Sequence, residues 1–244
     1  MPYSIQLSPM SFTKQSGAPY TLTADFSADT LTIYFDYADS MPSDVSLPTN
    51  PIFSSVSVDK TTKNGISTGV LTLKLKKAGS FWGVVPYYNA NGNLVFKFNQ
   101  PAPIQKASNS YGYTLNGARI TIDPGHGLGD PGAIGIGLNG IYEREINQAI
   151  ADKVKAILED LGASVHMNTS KTEKLLIVDR LNQAKAFESH LFVSIHNNSA
   201  SASAHGTEAY YFNPFSQRFA KSINKQVANH LSKTDRGTKF WYYG

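Results

Sequence analysis

The feature that most constrains the fold is a break in composition near residue 118. Residues 1–117 contain neither Glu nor Arg: every acid is Asp and every base is Lys, 8 Lys against 6 Asp, net +2. The remainder carries 14 basic and 12 acidic residues, again net +2. Charge is therefore even across the break, while Glu and Arg, which favour helices, are confined to the second part. The first part is rich in Thr, Ser, Tyr, Phe and Val, residues that suit a pleated strand. A chain of 244 residues has room for two ordinary domains, and the break predicts two of different class.

Hydrophobic periodicity gives the same division. In Val70-Leu71-Thr72-Leu73-Lys74-Leu75-Lys76 the three leucines share one side of a strand, and Leu31 to Tyr37 is a similar run. Tyr87-Tyr88, then Asn89 to Asn93, then Leu94 to Phe98 reads as a hairpin, with Asn91-Gly92 supplying positive φ at the turn. Residues 1–100 are thus expected to form a small all-β antiparallel sandwich. Residues 101–117 read as a linker, marked by Gln100-Pro101-Ala102-Pro103 and Ala107-Ser108-Asn109-Ser110.

From residue 118 strands and helices alternate. Short strands are expected at Ala118–Ile122, Ser164–Met167, Leu191–Ile195 and Glu208–Phe212. The first helix, Glu143 to Leu161, carries Ile146, Ile150, Val154, Ile157, Leu158 and Leu161 at helical spacing, and Gly162 ends it. Val178, Leu181 and Ala184 mark a second helix, and Phe219, Ile223, Val227 and Leu231 a third. This pattern predicts an α/β domain over residues 118–244, a mainly parallel sheet with flanking helices.

Bulk properties narrow the chemistry. There is no cysteine, which excludes disulfides, thiolate nucleophiles and Cys-ligated metal together. With 41% hydrophobic and 16% charged residues the chain is globular. A net charge of +4 and a pI near 9.0 suit an anionic polymer and are too mild and too spread for a nucleic-acid binder. No apolar run approaches the roughly 18 residues that span a bilayer. Met1-Pro2-Tyr3-Ser4-Ile5 lacks a basic n-region and an apolar h-region, so no signal peptide is visible.

The two strands expected before residues 124 and 196 each end in a histidine. Active sites of open α/β sheets lie at the carboxyl ends of strands. His126 sits between Gly125 and Gly127, which allow a sharp turn, and His196 follows an apolar run. Glu143 opens the first helix after a loop holding Gly127, Gly129, Gly132, Gly135, Gly137 and Gly140, which can fold back on the same edge. Two histidines and one carboxylate form a common zinc-hydrolase ligand set. Either histidine alone reads as a loop residue bonded to backbone; both at strand ends, with Glu143 between, favour the metal site.

Asp123-Pro124-Gly125-His126-Gly127, Asp130-Pro131-Gly132-Ala133-Ile134-Gly135, Glu143-Arg144-Glu145-Ile146-Asn147 and Ser194-Ile195-His196-Asn197-Asn198 occur in that order. Together they resemble the zinc-dependent N-acetylmuramoyl-L-alanine amidases, the peptidoglycan amidases of autolysins, cell-separation enzymes and phage endolysins. The resemblance runs from about residue 118 to the end. It implies Zn2+ held by His126, Glu143 and His196, and hydrolysis of the amide between N-acetylmuramic acid and L-alanine. Arg180 matches an arginine of the family's second helix. Glu145, Asp123 and Asn198 are candidates to support the ligands. The first part resembles, more loosely, the sandwich domains that target such enzymes to the wall. The implied partner is peptidoglycan, with anionic wall polymers for the first domain, and the implied location is secreted or in the cell wall.

The family places a catalytic Glu on a later strand, beyond the segment matching Arg236-Gly237, and no residue before Gly244 matches it. The general base is therefore unassigned, the last strand and helix of the family fold are expected to be missing, and weak turnover or none is expected of the sequence given. Glu208 is the carboxylate to be tested as a substitute, with the expectation that it does not serve.

Other residues have ordinary readings. His166 is expected to face solvent, His190 to sit at a helix end as a favoured cation, and His205 and His230 to have no partners at ligand spacing. Lys74, Lys76 and Lys77 read as a solvated strand face rather than a basic edge for anionic polymers, and Phe81, Trp82, Tyr87 and Tyr88 as core rather than a sugar-stacking platform. Phe240 to Tyr243 are expected to be exposed and to promote aggregation. Two other functions compete: a non-catalytic wall-binding or regulatory protein that keeps the zinc fold, and another zinc hydrolase such as a wall-sugar deacetylase.

Overall fold

The structure, a computed structural model, describes residues 3–7, 11–12, 20–25, 29–42, 45, 47, 49–77, 83–91, 93–99, 104–135, 140–168, 174–199, 203–212 and 216–241. The chain divides into two compact units, Met1–Gln100 with Gly206–Tyr243, and Pro101–His205.

In the first unit, β1 (Tyr3–Leu7), β2 (Ser11–Phe12), β3 (Tyr20–Asp25), β4 (Thr30–Asp36), β5 (Ala38–Ser40), β6 (Phe53–Lys63), β7 (Ile66–Leu75), β8 (Gly83–Tyr88) and β9 (Leu94–Asn99) follow in order. All their pairings are antiparallel. The sheets run β3-β4-β7-β6, β1-β9-β8 and β2-β5. Leu31, Ile33, Phe35, Leu71, Leu73 and Leu75 from one large sheet meet Val84, Leu94, Phe96 and Phe98 from the other in a single core, the expected sandwich. Alternation along β4 puts every second residue inside. The longest hairpin, β6–β7, turns at Asn64-Gly65, whose φ values of +53° and +76° suit a tight hairpin turn. The β8–β9 turn is closed by the Asn89 side chain, which accepts N–H bonds from Asn91 and Asn93, both at 3.0 Å; Gly92 lies outside the described residues.

One expectation fails here. Tyr87 and Tyr88 stand exposed at a strand end and are not core; Phe81 and Trp82 lie outside the described residues. Lys74, Lys76 and Lys77 are exposed as expected, and Lys76 also donates from Nζ to the Asn50 carbonyl at 2.6 Å.

The second unit opens with a small hairpin, β10 (Gln105–Lys106) and β11 (Tyr113–Thr114), within the stretch expected to be a linker. Then come β12 (Arg119–Pro124), α1 (Glu143–Asp160), β13 (Ser164–Met167), α2 (Ile177–Ala186) and β14 (Leu191–Ile195). The strands form a parallel sheet of order β13-β12-β14, so β12 is central and its carboxyl end lies beside that of β14. α1 ends at Leu161, where Gly162 takes φ +90°.

The buried line on α1 is Glu143, Asn147 and Ala151, continued by half-buried Val154 and Leu158. Ile150 and Ile157, expected inside, are exposed. They flank that line by one residue, a rotation of about 100° on a 3.6-residue helix.

The rest of the first unit is β15 (Thr207–Tyr211), α3 (Gln217–Leu231) and β16 (Asp235–Phe240), with the two strands parallel. Here too the packed line on the helix, Ala220-Asn224-Ala228, stands one residue from the apolar line Phe219-Ile223-Val227. Asn224 Nδ2 donates to the carbonyls of Thr207 and Gly237, each at 3.3 Å, joining the helix to both strands. Phe240 and Trp241 are exposed as expected; Tyr242 and Tyr243 lie outside the described residues. Among the described residues no helix is long and apolar enough to cross a membrane.

Candidate metal centre

The turn after β12 is built by an arginine reaching from α2. Arg180 Nη1 donates to Asp123 Oδ1 at 2.5 Å and to the Pro124 carbonyl at 3.1 Å. Its Nη2 donates to the His126 carbonyl. The other oxygen of Asp123 accepts the Ser194 hydroxyl at 2.6 Å, which ties β12 to β14. Asp123 and Arg180 are both buried, so each charge has its partner where water is absent. Gly125 N–H donates to the Ile195 carbonyl at 2.9 Å. The chain then bends through His126 at φ +68°, a left-handed conformation rare for a residue with a side chain.

Glu143 lies at the first turn of α1, where helix N–H groups favour an anion. It is 6% exposed. Its Oε2 accepts the Ala133 N–H at 3.1 Å and its Oε1 the Asn197 N–H at 2.9 Å. An imidazole nitrogen lies on each oxygen as well: His126 Nε2 is 3.1 Å from Oε2 and His196 Nδ1 is 3.0 Å from Oε1. The two rings stand edge to face, 4.9 Å between centroids. Burial alone would raise the Glu143 carboxyl, but the Ala133 and Asn197 N–H groups and the two histidines outweigh it and hold it below its ordinary value.

Space around these groups is closed to larger residues. A Cβ on Gly125 would collide with the His196 imidazole. At Gly132 a Cβ would stand 2.6 Å from the His126 ring and 2.8 Å from the Glu143 side chain.

The donor set fits a zinc ion. One ligand atom from each of His126, Glu143 and His196 falls within 4.8 Å of the others, and among the described residues no other such group occurs. Zinc bonds of about 2.0–2.1 Å in a tetrahedron need ligand atoms about 3.4 Å apart; each Glu143 oxygen has one imidazole nitrogen near that distance, at 3.1 and 3.0 Å, and one atom from each residue falls within 4.8 Å of the others.

Residues beyond the three candidates named from the sequence support this site. Asp123 grips Arg180 and Ser194 and touches neither histidine. Glu145 accepts the Tyr142 N–H at 3.3 Å as a helix cap. Asn198 is exposed and has a partner of its own; its neighbour Asn197 contacts Glu143 and Asn147. Fully buried Asn147 donates from Nδ2 to the Gly125 carbonyl at 3.0 Å and accepts Asn197 Nδ2 at 2.8 Å, so one side chain joins all three ligand-bearing segments. Its place one helical turn after Glu143 was the available signal. Asp130, four residues after His126, stands 3.1 Å from that ring's Nδ1. Burial would raise its carboxyl, and His126, Lys174 and the Gly132 N–H outweigh this and hold it low.

The other candidates are not members of the His126, Glu143 and His196 group. His166 is half-buried rather than solvent-facing, 3.3 Å from Gln183 Oε1, with its ring against Phe187. His190 is not a cation at a helix end: burial and then Arg119 push its pKa down, and its Nδ1 accepts the Arg119 N–H at 3.2 Å. His205 is exposed, and His230 Nδ1 bonds the Gln226 carbonyl at 2.8 Å. Glu208 is held by Lys239 at 2.5 Å, Arg236 at 3.3 Å and the Tyr210 hydroxyl at 2.6 Å.

Residues 120–241 match the family described as N-acetylmuramoyl-L-alanine amidase. The N-acetylmuramoyl-L-alanine amidase LytC of Bacillus subtilis is 37% identical over 152 residues, 60% of this chain and 30% of that protein. YqiI, an uncharacterized protein of the same species, is 39% identical over 129 residues, 51% of this chain and 61% of its own length. The catalytic domain of CwlV, an N-acetylmuramoyl-L-alanine amidase from Bacillus (Paenibacillus) polymyxa, is 36% identical with a TM-score of 0.48, covering 52% of this chain and 71% of that one. The chain thus spans less than two thirds of the length of both curated relatives.

Proposed function

Because the chain belongs to the N-acetylmuramoyl-L-alanine amidase family, we propose that it hydrolyses the amide between the lactyl group of N-acetylmuramic acid and L-alanine in peptidoglycan, with Zn2+ held by His126, Glu143 and His196. The observation that carries this reading is the buried Glu143 carboxylate with one imidazole on each oxygen. A zinc ion there would bring the pKa of its water to about 7 and polarise the scissile carbonyl.

The protein's part is to hold the ligand atoms still. Asn147 ties Gly125 and Asn197 to α1, Arg180 clamps the turn before His126, and Ala133 and Asn197 keep Glu143 in its charged form. Glu208 does not serve as the general base: Lys239 and then Tyr210 hold its carboxyl below its ordinary value, which makes it a weak acceptor of protons.

Residues 118–244 are read as the catalytic domain, and the sandwich of residues 1–100 as a wall-targeting module whose Lys74 and Lys77 can meet anionic polymers. The substrate puts the site of action in the cell wall, reached by secretion. The test is bound metal on the purified chain, with His126→Ala and His196→Ala alongside, followed by assay of stem peptide released from peptidoglycan. One zinc per chain, lost in both variants, is expected, with weak release of stem peptide or none. A folded chain that takes no zinc overturns the reading.

A further inference from the structure

The two histidines on Glu143 are held in different ways. The His196 side chain is 45% exposed and, among the described residues, meets a carboxylate only through Nδ1. His126 is held at both ring nitrogens, Nε2 facing Glu143 Oε2 and Nδ1 facing Asp130 Oδ1, each at 3.1 Å. Asp130 is itself fixed. Its backbone exchanges two hydrogen bonds of 3.1 Å with Gly127, its Oδ1 also accepts the Gly132 N–H at 3.4 Å, and its Oδ2 lies 3.3 Å from Lys174 Nζ.

A neutral imidazole has one N–H and one lone pair, and only the lone pair can bind a metal. Which nitrogen is bare depends on what the other nitrogen finds. The left-handed backbone at His126 does not settle this, because it sets where the ring lies and not where its proton sits.

We propose that Asp130 is a positioning residue of the metal centre: it accepts the Nδ1–H of His126, leaving Nε2 bare and turned to the Glu143 carboxylate, while Lys174 balances its charge. The inference rests on the zinc reading above, and it assigns to Asp130 a role in metal affinity rather than in contact with substrate.

The test compares wild type, Asp130→Leu and Asp130→Asn by zinc competition against a chelator. Asp130→Leu, close in size and without an acceptor, is expected to bind zinc about 10- to 100-fold more weakly. Asp130→Asn, whose amide oxygen still accepts, is expected to recover part of that loss. In zinc-loaded wild type the His126 Nδ1 proton should appear in the NMR spectrum as a slowly exchanging low-field imidazole N–H, missing from Asp130→Leu. A folded Asp130→Leu with affinity within about twofold of wild type overturns the inference. So does the absence of that resonance from zinc-loaded wild type, a result that needs no variant to fold. Failure of the wild type to take zinc overturns the proposed function itself.

Discussion

Inside the sandwich, Leu31, Ile33, Phe35, Leu71, Leu73, Phe96 and Phe98 pack together, the buried polar side chains described there being Asn50 and Thr68, and the rings of Phe53 and Phe98 stand edge-on at 4.7 Å. Around β12 the interior is different. Ala118, Ile120, Ile122, Ala151 and Ala163 share it with the buried polar side chains of Thr121, Asp123, Asn147, Asn168 and Arg180. The first interior is stabilised by the apolar surface it removes from water. The second gives up some of that gain and instead fills its space with hydrogen bonds, among which those of Asn147 and Arg180 fix the segments that carry His126, Glu143 and His196. Apolar packing is non-directional, so it can hold a sheet pair together but cannot set a ligand nitrogen 3.0 Å from a carboxylate.

The largest effect expected from this contrast is in the sandwich. Phe98→Ala should lower unfolding free energy by about 3–5 kcal/mol, read from the urea midpoint. A loss below about 1 kcal/mol would mean that the apolar core is not what holds this part together.

Asn147→Ala should destabilise less, by about 1–3 kcal/mol for each polar partner left orphaned. Its larger consequence should be a zinc affinity about 10- to 100-fold weaker. If stability falls and chelator competition shows no change, the polar interior is scaffold and not site.

A third effect is set by pH. Lys239 and then Tyr210 hold the Glu208 carboxyl below its ordinary 4.5, against an opposing push from burial. A folded pKa below the unfolded one means the unfolded chain binds more protons in that window, so stability falls as pH falls. The urea midpoint of wild type over Glu208→Gln should therefore be constant near neutrality and shrink once pH drops below about 4.5. A difference that persists unchanged to lower pH would show that the ion pairs are not its source.

The smallest effect is expected at the exposed apolar line of α1. Ile157→Ser should change stability by no more than about 0.5 kcal/mol, whereas Ala151→Leu, on the packed line, should cost about 1–3 kcal/mol by overpacking. Equal losses at the two positions would restore the isoleucine face that the sequence suggests.

The fold classes and the three residues that meet at the candidate metal centre were legible in the sequence, because each rests on a short-range pattern. Alternation with period two appears directly in Leu71, Leu73 and Leu75, and a histidine beyond an apolar run marks a strand end. The helix of Glu143 to Leu161 was found within one residue at its end for the same reason. Which of its faces is packed was not, because Ile150 and Ile157 outweigh Asn147 and Ala151 in hydrophobicity while the sheet accepts only small or bonding side chains there.

What tertiary structure alone decided is the set of residues that supports the ligands. Asp123 looks like a partner for its neighbour His126, yet Arg180 and Ser194, 57 and 71 residues away, take its oxygens. Asn147 and Asn197 meet across 50 residues. Composition and periodicity report what a segment tends to form by itself. A hydrogen bond between distant side chains depends on where three separate segments end in space, and that is settled only when the parallel sheet brings the carboxyl ends of β12 and β14 together beneath the first turn of α1.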